Sequence, residues 1–85
     1  MPKSVFTGAH GLLVEVLVAA RKESGLTQAE LAAKVRKDQT YISIIERSQR
    51  RVDVLEFCAL ARAMARDPKE LFALVVDRLP DELEV

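Results

Sequence analysis

Apolar side chains recur at helical spacing along most of the chain. The first such stretch contains apolar residues three or four positions apart: Leu12, Leu13, Val16, Leu17 and Ala20. This period predicts an amphipathic helix over about 9–24. Gly25 follows it, and glycine commonly takes the left-handed conformation that closes a helix.

Four further helices are predicted from their start signals. Thr27 and Glu30 have the spacing of a capping box, in which each side chain bonds the backbone N–H of the other residue, and this predicts a helix over 28–35. Leu26 and Leu31 flank the box as a hydrophobic staple. Aspartates at N-cap positions predict the other three helices, over 39–48, 54–64 and 68–79. The last has a proline at its first position and stops before Pro80.

These elements predict an all-α, five-helix fold, because no segment alternates apolar and polar residues long enough to be a strand. A chain of 85 residues is expected to form one domain. Its core should span about 9–79, with a short N-terminal arm and an acidic C-terminal tail. The apolar run 12–20 is interrupted by Glu15 and is too short for a membrane span. We therefore expect neither a targeting segment nor a membrane.

The reactive side chains argue against an enzyme. The single cysteine, Cys58, cannot form an internal disulfide, which suits a cytoplasmic protein, and it is expected to be a buried packing thiol. The single histidine, His10, is expected at the surface or near a helix cap. There is no catalytic triad, no spaced set of metal ligands and no glycine-rich phosphate loop. We expect no cofactor, no metal and no small-molecule substrate.

Charge is distributed unevenly although the net charge is zero. Residues 1–51 contain nine Lys or Arg against five Asp or Glu, a balance of +4, and residues 52–85 contain four against eight, a balance of −4. Six basic residues lie within 34–51: Lys34, Arg36, Lys37, Arg47, Arg50 and Arg51. Such asymmetry indicates a basic working face, although a solvated helix surface would look the same.

Residues 26–47 closely resemble the helix-turn-helix of the Cro/C1-repressor (XRE) family. The segments 60–64 and 70–72 match its flanking helices, so the resemblance covers about 12–75. It implies a lambda-repressor-like fold in which helices two and three form the DNA-binding motif. By this resemblance the protein is a bacterial or phage-encoded transcriptional regulator.

The third helix has the two faces that this role requires. At 100° per residue, Ile42 and Ile45 fall on one arc and point to the core. The opposite arc holds Gln39, Thr40, Ser43, Ile44 and Arg47. A helix with one anchored and one largely polar face can present the latter to the major groove of DNA.

The resemblance assigns roles to individual residues. Gln39 is expected to bond an adenine edge, with Thr40 on a neighbouring base and Ile44 against a thymine methyl. Gln28 is expected to contact a phosphate and brace Gln39. Other expected backbone contacts are Tyr41, Ser43, Arg36, Lys37, Arg47, Arg50 and Arg51. Arg21 and Glu46 match a family pair that forms a structural salt bridge between helices one and three.

Three features depart from the family pattern. Arg36 occupies a turn position that is normally glycine, where a positive φ is expected and a side chain costs roughly 1–2 kcal/mol. Lys37 replaces an apolar turn residue. Residues 65–66 replace a glycine and an apolar residue between helices four and five.

We expect a homodimer that binds double-stranded DNA and reads a palindromic operator. The last helix carries apolar residues around too wide an arc for burial on one side, so its dimer contacts are expected to be Phe72, Val75, Val76 and Leu79. The alternative for this helix is a central place in the core. Two other functions stay open, an antitoxin or similar protein-interaction module and a restriction-modification controller.

Overall fold

The helices form in the predicted order. A computed structural model describes residues 8–83, and within that range it contains no strand. The five helices are α1 Ala9–Glu23, α2 Gln28–Lys34, α3 Gln39–Glu46, α4 Val54–Ala63 and α5 Pro68–Arg78. Each ends one or two residues earlier than predicted. The N-terminal arm before residue 8 and the end of the acidic tail, residues 84–85, lie outside the described residues.

Side-chain caps fix where four of the helices begin. In the predicted capping box, the Glu30 N–H donates to Thr27 Oγ1 over 3.1 Å and the Thr27 N–H donates to Glu30 Oε1 over 2.9 Å. Asp53 and Glu56 form a second capping box at the start of α4. Asp38 and Asp67 accept backbone N–H bonds at the starts of α3 and α5. Each cap of this kind stabilises a helix by about 1 kcal/mol.

The ends of α1 to α4 share one geometry. The residue after each C-cap has a positive φ, 77° at Gly25, 60° at Arg36, 57° at Ser48 and 58° at Ala65. The next N–H then bonds a carbonyl five residues back, as from Lys37 to Ala32 over 2.9 Å, which is a Schellman motif. The positive φ predicted for Arg36 is therefore confirmed. The turn between α2 and α3 keeps the hydrogen bonds of a glycine turn without a glycine.

The core is built from the inward faces of all five helices. Ala32 is 1% exposed where α2 packs on α3, and its small side chain lets the two helices pack closely. Ile42 and Ile45 are also buried, so the predicted inward arc of α3 is confirmed. These contacts hold α3 by one side and leave its other side open.

The burial of three residues differs from expectation. Val75 was expected at a dimer interface, but it is 2% exposed and belongs to the protomer's own core. Leu79 is half-buried and packs against the same core. Periodicity could not choose between the sides of α5 because both carry apolar residues. Cys58 is half-buried rather than buried.

His10 lies next to the cap of α1, as expected, and it also joins two distant parts of the chain. It is half-buried, and its Nε2 accepts the Val52 N–H over 3.3 Å. Burial lowers the pKa of His10, and the nearby positive charge of Arg51 lowers it further. The neutral imidazole that accepts this bond is therefore favoured, and it fastens the loop after α3 to α1.

Two features are absent from residues 8–83. None of the helices in this range combines the length and apolarity needed to cross a membrane. The same residues contain no cluster of three or more potential metal ligands.

Candidate nucleic-acid interface

The side of α3 that faces away from the core is a polar surface. Gln39 and Thr40 are exposed in the first turn of the helix, and Ser43 and Ile44 are half-buried one turn further on. Arg47 follows as the exposed C-cap residue. All five residues that were predicted for the outward arc therefore retain accessible surface.

Gln39 is tied to the preceding helix. Its Nε2 donates to Oε1 of Gln28, the first residue of α2, over 3.2 Å. The two glutamines open the two helices of the motif, and this bond brings their amides together as the family resemblance implied. The bond restrains an exposed side chain that would otherwise be free to rotate.

Arg21 and Glu46 form an ion pair between α1 and α3. Arg21 Nε donates to Glu46 Oε2 over 2.6 Å, and Nη2 donates to Oε1 over 3.0 Å. The third guanidinium nitrogen, Nη1, donates to the Leu26 carbonyl over 2.9 Å. The two side chains are only 12% and 11% exposed. The pair neutralises a carboxylate that would otherwise repel phosphate.

Glu46 also connects this ion pair to the glutamines. Gln28 Nε2 donates to Glu46 Oε1 over 2.9 Å. A continuous chain of hydrogen bonds therefore runs from Arg21 through Glu46 and Gln28 to Gln39, across α1, α3 and α2. We call these four residues the glutamine network.

A second network lies around Tyr41 and involves Glu56, a residue for which the sequence predicted no role. Arg50 Nη2 donates to Glu56 Oε2 over 2.6 Å, and its Nη1 donates to Oε1 over 3.1 Å. The Tyr41 hydroxyl donates to Glu56 Oε2 over 3.1 Å. We call these three residues the tyrosine network.

The tyrosine network changes how Tyr41 and Arg50 are interpreted. Both were predicted to contact phosphate, and in this structure their polar groups are bound to Glu56. A phosphate contact through the Tyr41 hydroxyl would first require exchange of that bond, so the contact stays a prediction. The spacing of Asp53 and Glu56 is the signal that could have located this carboxylate, because it repeats the capping box of α2.

Hydrogen bonding stabilises the ionised form of Glu56. The Arg50 guanidinium lowers the pKa of Glu56 from 4.5 to about 2, helped by the Asp53 N–H and the Tyr41 hydroxyl. Partial burial raises the pKa of Tyr41, and the same carboxylate raises it further. The loop after α3 is therefore fastened to the start of α4 by a carboxylate that stays charged in all but strong acid.

Cations surround the open side of α3. Arg36 and Lys37 are exposed in the turn before it, and Arg47 and Arg51 are exposed after it. Lys37 Nζ lies 5.5 Å from the centroid of the Tyr41 ring, and Arg50 Cζ lies 5.0 Å from it. The predicted basic residues thus lie at both ends of the polar face. Their contacts with DNA, like those of Gln39, Thr40 and Ile44, stay predictions.

Two helices joined by a tight turn, with the second anchored on one side and polar on the other, define a helix-turn-helix protein. A family model described as helix-turn-helix matches residues 17–71 of this chain. The chain belongs to this family, in its XRE branch. A comparison with curated proteins gives no match.

Solved structures with the same fold include proteins of two descriptions. An XRE-family-like protein from Pseudomonas syringae pv. tomato str. DC3000 is 35% identical and has a TM-score of 0.78, with 85% of this chain and 88% of the other covered. The restriction-modification controller protein C.AhdI from Aeromonas hydrophila is also 35% identical, with a TM-score of 0.64 over 71% of this chain and 87% of the controller.

A second controller protein has been solved with DNA. The restriction-modification controller C.Esp1396I, as a tetramer on its natural 35 base-pair operator, is 26% identical to this chain and has a TM-score of 0.76. The alignment covers 85% of this chain and 95% of the controller. Membership of the family and this likeness support a DNA-binding regulator.

Proposed function

We propose that this protein is a transcriptional regulator that reads a palindromic operator in double-stranded DNA. Two copies would insert α3 into successive major grooves about 34 Å apart. Gln39 and Thr40 would contact base edges, and Ile44 would lie against a thymine methyl group. The protein is not expected to be an enzyme.

The observation that carries this proposal is the restrained amide of Gln39. Gln39 is exposed at the start of α3, and Gln28 holds it from the preceding helix over 3.2 Å. A glutamine amide can bond both N6 and N7 of adenine, and each good bidentate contact contributes about 1–3 kcal/mol of discrimination. Restraining the side chain before binding lowers the entropy cost of that contact.

The surrounding cations supply affinity that is independent of sequence. Arg36, Lys37, Arg47 and Arg51 lie at the ends of the polar face. Each phosphate that they neutralise would release condensed counterions and make binding more sensitive to salt. The amide of Gln39 and these cations therefore have separable signatures in a binding experiment.

The test is a selection of bound duplexes from a random pool, followed by titration of the selected site with wild type and Gln39→Ala. We expect a palindromic consensus. Gln39→Ala should weaken binding by roughly 1–3 kcal/mol and relax the preference at one base pair in each half-site.

Arg36→Ala is the matched comparison, because Arg36 lies in the adjoining turn and is also exposed. It should weaken all duplexes about equally and reduce the dependence on salt by about one charge. If no consensus is selected, and binding disappears between about 50 and 200 mM salt in every variant, the basic face is only an electrostatic surface. That result would reject sequence-specific regulation.

The dimer is proposed to form through the open side of α5. Phe72 and Val76, one turn apart, are 45% and 49% exposed. The rings of Phe72 and buried Phe57 pack in a T-shaped arrangement with centroids 5.5 Å apart, so Phe72 is held in place while its outer side is accessible. A second copy of the chain would cover this apolar pair.

Sedimentation at micromolar concentration tests the dimer. Val76→Lys should shift the protein to monomer and weaken operator binding. Leu74→Lys is its control, since Leu74 is similarly exposed but lies about 200° around the helix from Phe72 and Val76. A wild-type monomer, or equal effects of the two substitutions, would reject this surface.

A restriction-modification controller is the particular regulator that the comparisons favour. Two controllers share the fold, one at 35% identity over 71% of this chain. A controller gene should neighbour a nuclease and methylase pair, and the selected operator should lie upstream of those genes. If the selected operator does not lie upstream of such genes, the protein is a regulator of another kind.

A further inference from the structure

The glutamine network has a direction, since each of its hydrogen bonds has a defined donor and acceptor. Arg21 donates twice to Glu46, Gln28 donates to Glu46, and Gln39 donates to Gln28. The chain begins at a nearly buried ion pair and ends at an exposed amide on the proposed reading face.

That direction follows from the chemistry of Glu46. An ionised carboxylate can only accept hydrogen bonds, and a guanidinium can only donate them. Gln28 must therefore turn its amide nitrogen toward Glu46, which leaves its oxygen toward Gln39. Gln39 must in turn direct its own nitrogen toward Gln28.

The free groups of Gln39 are thereby determined. One N–H of Nε2 is used by Gln28, so the other N–H and the oxygen Oε1 remain for DNA. Adenine offers a donor at N6 and an acceptor at N7, which match this pair. Guanine offers acceptors at both O6 and N7. The Gln39 amide oxygen would then face guanine O6, and two acceptors cannot form a hydrogen bond with each other.

We propose that Glu46 is a specificity-determining positioning residue, which acts through Gln28 to orient the Gln39 amide so that it accepts adenine and rejects guanine. This inference rests on the proposed function, since it assigns the origin of base preference at the same face. In this proposal Glu46 contacts no base, yet it determines which base pair is preferred at one position of the operator.

The experiment compares two operator duplexes that differ at the base pair identified by Gln39→Ala, one with A·T and one with G·C. Dissociation constants are measured for wild type and for Glu46→Gln, whose amide can donate or accept. We expect wild type to prefer A·T by roughly 10-fold or more. In Glu46→Gln this ratio should fall several-fold.

Gln28→Ala provides a second variant that keeps the ion pair of Arg21 and Glu46. It should lower the same ratio, which keeps the test decisive if Glu46→Gln folds poorly. Glu56→Gln is the matched control. It removes a carboxylate with the same bidentate arginine geometry and no bond to either glutamine, so the ratio should stay at the wild-type value.

The outcomes separate this inference from the proposed function. If Glu46→Gln and Gln28→Ala weaken both duplexes by the same factor, the two residues are structural and the inference is overturned. A wild-type preference for G·C at this base pair would also overturn it. If no duplex is selected at all, the proposed function fails, and this inference fails with it.

Discussion

Two Arg–Glu ion pairs include or contact side chains of α3, and they differ in the further group that each glutamate binds. Both are bidentate with a shortest contact of 2.6 Å, and in both the glutamate accepts a further side-chain bond. In the glutamine network the pair is 12% and 11% exposed, whereas in the tyrosine network it is 34% and 23% exposed. Glu46 of the first pair binds the amide of Gln28, and Glu56 of the second pair binds the hydroxyl of Tyr41.

That chemical difference decides what each pair can transmit. An amide has separate donor and acceptor ends, so a carboxylate on one side determines what the other side presents. A hydroxyl can rotate, and its oxygen can accept a bond while its hydrogen is donated. The glutamine network can therefore convey an orientation to the DNA face, while the tyrosine network secures the loop after α3.

The largest effect is expected from unpairing Glu46, the nearly buried carboxylate. Arg21→Ala leaves Glu46 without its charge partner in a site with little solvent and should lower the free energy of unfolding by about 2–4 kcal/mol. Arg50→Ala, at the more exposed pair, should cost about 1 kcal/mol. Urea unfolding of the two variants measures both values. Equal losses would show that burial does not distinguish the pairs.

A smaller, pH-dependent effect is expected at Glu56. Because its pKa is lowered from 4.5 to about 2 in the folded protein, its contribution is complete above pH 4.5 and is lost as the pH falls toward 2. At pH 7, Glu56→Gln should be less stable than wild type by about 1–2 kcal/mol after allowance for solvent screening.

Urea unfolding between pH 7 and pH 2.5 follows this difference. The gap between wild type and Glu56→Gln should close in acid, and most of the change should occur below pH 4.5. A gap of constant size across this range would mean that the ionised form of Glu56 gains nothing from the fold.

The smallest effect is expected from Tyr41→Phe. The substitution removes the hydroxyl bond to Glu56 but keeps the ring close to Lys37 and Arg50. It should cost about 0.5–1 kcal/mol of stability and leave the base preference unchanged. Thermal unfolding and operator titration measure the two properties. A changed base preference would show that the tyrosine network also contributes to reading.

Much of the fold could be predicted because its signals are local. The capping box of Thr27 and Glu30 and the aspartate caps involve residues two or three positions apart, and the helices began where these signals lay. The two faces of α3 followed from its period, since Ile42 and Ile45 share one arc. The partnership of Arg21 with Glu46 came from the family resemblance, across 25 residues of sequence.

The errors concern choices that local signals leave open. Apolar residues surround α5, so its period could not show that Val75 packs inward while Val76 stays 49% exposed. Local signals also could not show that Tyr41 and Arg50 donate hydrogen bonds to Glu56, because nothing in their own segment places a carboxylate beside them. Glu56 reaches them only because the loop after α3 returns the start of α4 to that side.

By itself, the sequence determined the five helices, their starts and the sidedness of α3, because caps and periodicity act within one or two helical turns. The tertiary structure alone decided which side of α5 is buried and which polar groups are engaged within the protein. It also decided the direction of the glutamine network. That direction depends on a carboxylate from α3, an amide from α2 and a guanidinium from α1 meeting within hydrogen-bond distance, which no single segment encodes.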